Sequence, residues 1–426
     1  MRRGILSAAA MGLLAIPFLG TRLVSTAQGD LLAARWQGPL WVAGIVLLFS
    51  LLSGTVPRQP LKNLGKAGKG ALSLLGSPGA TLVWLSAAVV IPLLPREWMQ
   101  HRVAGWEMGG VHPLGWLTVE NLTNLWLYIV LALGLNLIVG QTGVLVLGYG
   151  GFYAVGAYTM ALLATGLPCC QMARGFLPYW WAVGLGILGG AMLAASAGVL
   201  VGFPALRLKG DYLAIVTLAF GEVLVLVLKN WAPVTGGTNG LNITPSMVRP
   251  LKETWAYPTG TWHYYLALAA AALSIPFHAR LNRSRIGRAL LAIREDETAA
   301  RAMGIDAARL KLLAFALAAA WAGVAGALFA ARQRFITPES FTFLESVVIL
   351  AMVVLGGMGS LRGVAFGAVL VTLLLEALRE LNALLGHVEA LRELGDCRML
   401  VFGALLVTVM IFRPQGLVPE RREVPR

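Results

Sequence analysis

Apolar residues occur along most of this chain in long, uninterrupted stretches rather than in narrow amphipathic stripes. A helix needs about 20 mostly apolar residues to cross about 30 Å of hydrocarbon. Twelve stretches reach or approach that length, and we expect them to be membrane spans. They cover 5–20, 38–53, 79–94, 123–140, 143–166, 180–202, 212–228, 262–277, 310–331, 341–357, 363–383 and 399–412. The pattern therefore predicts an all-α polytopic membrane protein with about 10–12 transmembrane helices, the shortest stretches being open to a re-entrant or interfacial placement.

Composition supports a membrane protein and excludes other classes. Only 13% of the residues are charged while 58% are hydrophobic, whereas a soluble domain has about 25% charged residues. The high apolar content also excludes a disordered chain. A net charge of +14 in a chain with so few charges does not indicate nucleic-acid binding. The three cysteines are too few for a disulfide framework, and no spacing of cysteine or histidine predicts a metal site.

The basic residues are unevenly distributed, and this predicts an orientation. An even number of spans puts both termini on one side, and most of the 34 Lys and Arg residues lie in loops on that side. Lys and Arg accumulate in cytoplasmic loops, so we expect both termini to be cytoplasmic. The first stretch also has features of a signal peptide, with Ser25-Thr26-Ala27 as a cleavage site; we favour an uncleaved first helix.

The loop at 278–309 is the most informative region outside the spans. We expect a helix from about 289 to 303, with Gly304 at its C′ position and Asp306 as the N-cap of the next span. This helix mixes charged residues with an apolar stripe formed by Ile293, Ala300 and Met303. Such a helix can dock in a groove of a soluble partner, or it can be a solvated connector.

This loop also resembles a known family. The run from Arg285 to Phe315 is similar to the coupling-helix region of permease subunits of ATP-binding-cassette importers, above all the branched-chain amino-acid permeases of the LivM type. The family pattern is Glu-Ala-Ala, three residues and then Gly. Here Thr298-Ala299-Ala300 is followed by Gly304, and the glutamate stands one place earlier, at Glu297.

Other motifs extend the resemblance over roughly 120–415, and they occur in the family's order. They are the runs 134–143, 155–158, 207–222, 235–241 and 355–363. The resemblance implies two regions. Residues 1–117 would be an amino-terminal extension with about three transmembrane helices, and 118–426 would be the core permease domain with its coupling helix near 289–303.

The resemblance implies an importer assembled from several subunits. We expect two ATP-binding subunits, a second related permease subunit and a periplasmic substrate-binding protein, with the chain in the lipids of a bacterial inner membrane. This chain would need no cofactor or metal, would bind no nucleic acid and would leave ATP hydrolysis to its partners. The residues that would couple it to the ATPase are Arg285, Arg288, Arg294, Glu297, Ala299, Ala300, Arg301 and Gly304.

Two places in the spans are predicted to meet the substrate. Glu222 is a carboxylate in an otherwise apolar span, so it either lines the translocation pathway or is a buried, hydrogen-bonded group. Asn136, Gln141 and Thr142 lie at a tight break between two spans. A broken helix exposes backbone groups that can line a polar path, although close packing around the neighbouring glycines is the alternative.

The turn at 235–240 is predicted to face the binding protein. It has no large apolar residue to bury, and its consecutive glycines allow backbone amides to point at a ligand. A plain surface turn is the alternative. The residues of this turn are Thr235, Gly236, Gly237, Thr238, Asn239 and Gly240.

Three other functions remain open at this point. A related importer could carry urea, short amides or other amino acids. A secondary transporter or channel requires ionisable residues within the spans, and Glu222 alone fits well. An integral-membrane enzyme requires clustered catalytic residues, but the five histidines are scattered.

Overall fold

A computed structural model describes residues 119–165, 179–205, 211–243 and 261–385, the backbone of 21–26 and 29–34, and a few single positions near the carboxyl end. The predicted spans at 5–20, 38–53, 79–94 and 399–412 lie outside these residues or are described only at single positions. The chain divides into two units, Met1–Trp116 with Ala383–Glu389, and Leu117–Asn382 with Ala390–Arg426.

In the first unit the described part is an antiparallel strand pair. Strand β1, Thr21–Thr26, pairs with β2, Gly29–Ala34, and Thr21 lies opposite Ala34.

The second unit is built of helices. In chain order these are α1 Val119–Thr142, α2 Tyr149–Thr165, α3 Tyr179–Ala205, α4 Asp211–Asn230, α5 Ala232–Thr235, α6 Thr261–Arg283, α7 Arg285–Glu295, α8 Glu297–Ala302, α9 Ala307–Gln333, α10 Phe343–Gly356 and α11 Leu361–Leu385. Eight of them fall on the eight predicted spans within the described ranges. Six described helices are long and apolar enough to cross a membrane. The prediction of an all-α polytopic membrane protein is therefore confirmed.

Short elements join the long helices. Two strands, β3 Leu241–Asn242 and β4 Phe335–Ile336, pair antiparallel with Leu241 opposite Ile336. This pair ties the chain after α4 to the chain after α9. Single turns of 3₁₀-helix lie at Gly237–Asn239 and Pro338–Phe341.

Helix α9 lies against α1, α2 and α3, and its small residues explain the close packing. A Cβ atom added to Gly156 of α2 would lie 2.2 Å from the carbonyl oxygen of Gly323 in α9. One added to Gly323 would lie 2.3 Å from the carbonyl oxygen of Gly190 in α3. The three backbones thus meet at glycines, which is how membrane helices gain contact where the hydrophobic effect does not drive association.

At its amino-terminal end, α1 is held by hydrogen bonds between side chains. The Tyr128 hydroxyl donates to Glu345 of α10 at 2.7 Å, and Arg332 of α9 donates to Asn124. We call Asn124, Tyr128, Arg332 and Glu345 the polar clamp. These bonds connect α1, α9 and α10, whose apolar surfaces alone would not specify their register.

Two predicted boundaries were wrong. The span expected at 143–166 begins as a helix only at Tyr149, because the chain from Gly143 to Gly148 is not helical. The helix expected at 289–303 is two helices, α7 and α8. They separate at Asp296, whose side chain accepts hydrogen bonds from the amides of Thr298 and Ala299 at 2.8 and 3.0 Å and so starts a new helix.

Candidate functional site

The loop between α6 and α9 is shaped by capping residues that its sequence supplies. Ser284 caps α7 by accepting from the Gly287 amide, and Asp306 caps α9 by accepting from the Arg309 amide. Gly304 follows α8 with a φ of +83°. Its amide donates to Arg301, and the Ile305 amide donates to Ala300, which together form a Schellman motif. The predictions for Gly304 and Asp306 are confirmed.

One face of the loop is buried on the helices. Ile293, Ala300 and Ala307 form a small apolar cluster with the partly buried Ile305. Met303 was expected to share this face, but its side chain is 82% exposed, so that part of the stripe was wrong. The reason is the break at Asp296, which changes the helical phase between Ile293 and Met303.

An ionic bridge fixes α8 to the start of α9. The Glu297 carboxylate lies 2.5 Å from the Arg301 guanidinium and 2.7 Å from the ammonium group of Lys311. The hydrogen bond from Lys311 is the main cause that holds the pKa of the Glu297 carboxyl below its usual range, and the two positive charges act in the same direction. Glu297 therefore stabilises the loop, and its carboxylate is already occupied by two partners.

The opposite face of the loop is exposed. Among the residues predicted to couple to the ATPase, those with exposed side chains or backbone are Arg285, Arg288, Ala299, Arg301 and Gly304. Met303 adds a flexible thioether beside two alanines and a glycine, an adaptable apolar contact for a partner. Of the other three, Ala300 is buried, Glu297 is half-buried in its ionic bridge, and Arg294 is half-buried toward α1.

Arg294 is bound to the carboxyl end of α1 rather than pointing away from the protein. Its guanidinium donates a hydrogen bond to the carbonyl oxygen of Gly140. Its Cγ lies 3.2 Å from the position that a Cβ on Gly143 would occupy. The contact joins residues 154 positions apart in the chain.

Asn136, Gln141 and Thr142 are all buried at this end of α1. Asn136 accepts a hydrogen bond from the Gly359 amide at 2.8 Å, and Gln141 donates to Asn282 of α6. Thr142 donates to the carbonyl oxygen of Ile138 in its own helix. These contacts favour a packing role over an open polar path for the three side chains. We call Asn136, Gly140, Gly143, Arg294 and Gly359 the glycine junction.

The non-helical segment 143–148, which connects α1 to α2, packs against α4. The Leu147 amide donates to the Thr217 hydroxyl at 3.2 Å. A Cβ on Gly148 would lie 1.7 Å from the Thr217 carbonyl oxygen, and one on Gly221 would lie 3.0 Å from the Gly148 Cα. The segment therefore meets α4 backbone to backbone, which requires glycine on both sides.

Glu222 follows Gly221 near the middle of α4, but on the outer face. Its side chain is exposed among apolar neighbours such as Val223 and Leu226, which are 55% and 58% exposed. Within the described residues Glu222 has no hydrogen-bond or ion-pair partner. A carboxylate at this depth calls for a polar cavity or another subunit. Within the described residues Glu222 is therefore not a buried, hydrogen-bonded carboxylate.

The turn at 235–240 lies at the other end of the unit from the loop. It packs on β4, which follows the carboxyl end of α9, while the loop precedes α9; a helix of 27 residues is about 40 Å long. The Gly236 amide donates to Ala232 of α5, and the amides of Gly237 and Gly240 donate to Thr235 and Gly237 within the turn. Thr235 is buried, whereas Thr238 and Asn239 are exposed and available to a partner.

Several residues that organise these sites were not singled out from the sequence. Ser284 and Asp296 carried a recognisable signal, because each is a small polar residue just before a helix. Lys311 and Thr217 carried none, since each looks like an ordinary residue at the edge of or within an apolar span.

The fold and the site define a class, a multi-pass helical membrane protein with a structured loop at one end of its core. Within that class, residues 117–410 match the family described as branched-chain amino acid transport system / permease component. The chain belongs to this family.

Its relatives include two permeases named LivM. The chain is 39% identical to the high-affinity branched-chain amino acid transport system permease protein LivM of Escherichia coli K12, over 98% of this chain and 94% of the relative. It is 38% identical to the LivM protein of Salmonella typhimurium, over 95% and 89%. The permease protein LivH of Escherichia coli K12 is 25% identical over 57% of this chain and 79% of its own length. No solved structure matches.

Proposed function

We propose that this chain is the LivM-type permease subunit of an ATP-binding-cassette importer that carries leucine, isoleucine and valine into a bacterial cell. The observation that carries the proposal is the 39% identity to a branched-chain amino acid permease along 98% of the chain. Similarity of that extent includes the loop, the turn and the helices between them.

The proposed assembly has two ATP-binding subunits, a second related permease and a periplasmic binding protein. The second permease is supported by LivH, a permease relative that matches over 57% of this chain. The loop from Ser284 to Asp306 would face the cytoplasm and dock on an ATP-binding subunit through Arg285, Arg288, Arg301 and Met303. ATP hydrolysis would take place in that partner and not in this chain.

The opposite end of the unit would receive the substrate. In this orientation both termini are cytoplasmic, the membrane is the bacterial inner membrane, and the turn at 235–240 faces the periplasm. Because its glycine amides bond internally, the binding protein would meet the exposed Thr238 and Asn239. Alternating access between two helix bundles would then carry the amino acid across.

Of the residues predicted to line the pathway, Glu222 has the strongest support, because its side chain is exposed on the outer face of α4. Its exposed carboxylate near the middle of α4 would face a polar path completed by the second permease. Glu222→Gln should keep assembly and reduce transport, whereas Asp211→Asn, at the end of the same helix, is the matched control. If Glu222→Gln transports normally, the carboxylate is not needed in the pathway.

Reconstitution tests the whole proposal. The chain is purified with its co-expressed ATP-binding subunits and second permease, and placed in liposomes with ATP inside and the loaded binding protein outside. We expect ATP-dependent uptake of radiolabelled leucine, competed by isoleucine and valine and not by urea or acetamide. Uptake that needs no ATP-binding subunit would refute the importer, and selective competition by urea or acetamide would refute the substrate.

A further inference from the structure

Arg294 differs from the other arginines of the loop in the burial and direction of its side chain. Arg285, Arg288 and Arg301 are exposed, whereas Arg294 is half-buried and turned toward α1. We propose that Arg294 is a positioning residue that joins α7 to the end of α1 and to segment 143–148, so that the loop and α4 move as one body. This inference rests on the proposed function, because motion of the loop matters only if a partner drives it.

The end of α1 is electrostatically suited to hold a guanidinium. Gly140 is one of the last residues of α1, so its carbonyl oxygen belongs to the final turn, where helical partners are lacking. The aligned peptide dipoles also make this end negative, and a cation there is favoured. The hydrogen bond from Arg294 gives the Gly140 carbonyl a partner and places a positive charge at the negative end of α1.

The approach of Arg294 depends on the absence of a side chain at Gly143. This residue has a φ of +71°, and the Arg294 Cγ and Cβ lie 3.2 and 3.9 Å from the site of an added Cβ. The apolar stem of Arg294 thus lies beside the first residue of segment 143–148. The arginine holds both the last turn of α1 and the chain that leaves it.

From Gly143 the connection continues to α4 through close contacts. Leu147 and Gly148 are fixed on Thr217 by a hydrogen bond and by backbone contact. Gly221, which touches Gly148, directly precedes Glu222. Movement of α7 would therefore reach the helix that carries the proposed pathway carboxylate through segment 143–148, which packs on that helix at Leu147 and Gly148. Such a continuous set of packed groups is one physical route for coupling between distant sites.

The first experiment separates positioning from docking. In the reconstituted complex, Arg294→Ala should leave the ATP-binding subunits bound but lower the leucine transported per ATP hydrolysed by about tenfold, the loss expected from removing one charge-assisted hydrogen bond. Arg301→Ala should instead weaken binding of the ATP-binding subunits. Arg309→Ala is the matched control, because Arg309 is an exposed arginine in the same region whose ion pair with Asp306 is a surface contact.

The second experiment replaces the arginine by a covalent bond. The 3.9 Å between the two Cβ positions at 143 and 294 is within the range of a disulfide. The double variant Gly143→Cys, Arg294→Cys should cross-link readily in membranes. Gly143→Cys alone is the control for the strain of a side chain at a φ of +71°. Relative to that single variant, the double variant should lose transport per ATP when reduced and recover most of it when oxidised. Arg294→Lys, which keeps a cation and a long stem, should retain part of the coupling.

The outcomes distinguish this inference from the proposed function. Ready cross-linking of positions 143 and 294 tests the contact even if the complex carries another substrate. Loss of ATP-binding subunits from Arg294→Ala, unchanged transport per ATP in Arg294→Ala, or oxidation that fails to restore the double variant would each overturn the positioning role. Failure of wild-type leucine uptake would instead overturn the proposed function.

Discussion

The two ends of α1 are held in different ways. At the amino-terminal end the polar clamp joins α1 to α9 and α10 through long side chains, as in the 2.7 Å bond between Tyr128 and Glu345. At the carboxyl end the glycine junction brings side chains onto backbone groups, as in the bonds from Arg294 to Gly140 and from Gly359 to Asn136. The clamp links helices to one another, whereas the junction links α1 to the loop, to segment 143–148 and to the turn at Gly359.

This difference indicates a division of labour. Bonds between long side chains tolerate small movements and chiefly set stability. The contacts at Gly140 and Gly148 leave no room for a side chain, because an added Cβ would lie 2.6 Å from the Gly359 amide nitrogen and 1.7 Å from the Thr217 carbonyl oxygen, respectively. We therefore expect changes in the polar clamp to alter stability, and changes at the glycine junction and its connection to α4 to alter coupling as well.

The largest effect is expected where backbones meet. In Gly148→Ala the new Cβ would lie 1.7 Å from the Thr217 carbonyl oxygen, so α4 would have to shift, at a cost of about 3 kcal/mol or more. Gly184→Ala in α3 is the control, because no atom lies within 4 Å of its Cβ position. Thermal unfolding in detergent compares the two. Equal melting temperatures would contradict the close contact between segment 143–148 and α4.

A substitution in the polar clamp should lower stability by less than Gly148→Ala does and should leave coupling unchanged. Tyr128→Phe removes the hydroxyl that donates to Glu345 and should cost about 0.6 kcal/mol, the average for such bonds between membrane helices, and at most about 1.7 kcal/mol. The melting temperature should fall while leucine transported per ATP stays at the wild-type value. A fall in transport per ATP comparable to that of Arg294→Ala would remove the distinction between the two ends.

The loop itself should respond to loss of its internal cap. Asp296→Ala removes the acceptor for two amides and should destabilise α8 by about 1 kcal/mol. Asp296→Asn keeps an acceptor oxygen and serves as the control. Hydrogen exchange at Thr298 and Ala299 measures the effect. Unchanged exchange in Asp296→Ala would mean that the buried face of the loop, not the cap, holds α8.

Acid should loosen the same loop slightly. The pKa of Glu297 is lowered in the folded loop, mainly by the hydrogen bond from Lys311. Its contribution is therefore complete above the ordinary glutamate pKa of about 4.3 and is lost as pH falls through the lower folded value. The protection of the α8 amides, measured relative to their intrinsic exchange rates at the same pH, should fall below about pH 4 in the wild type. Glu297→Gln should lack this acid-dependent step, and a step of equal size in that variant would assign it to another group.

The sequence predicted those parts of the structure that depend on neighbouring residues. Apolar length located the eight helices in the described ranges, and small polar or glycine residues located the caps at Gly304 and Asp306. Asp296 was missed because it lies within the charged run Glu295-Asp296-Glu297, which resembles an exposed helical face. Its capping signal could still have been recognised.

Long-range partners could not be predicted in the same way. Arg294 and Gly140 are 154 positions apart, and nothing in helical periodicity relates them. The burial of Asn136, Gln141 and Thr142 likewise depends on Gly359 and Asn282, which only the folded chain brings near. A polar residue in a span shows that a partner is needed, but not which partner.

The exposed carboxylate of Glu222 has a consequence for the amount of this protein in a cell. A charge facing hydrocarbon near the centre of a membrane costs several kcal/mol, so a chain made without its companion would be poorly inserted or short-lived. Assembly would cover the charge and extend the lifetime of the chain. If the proposed second permease covers this charge, the abundance of this chain would follow that of the second permease without any separate control of synthesis.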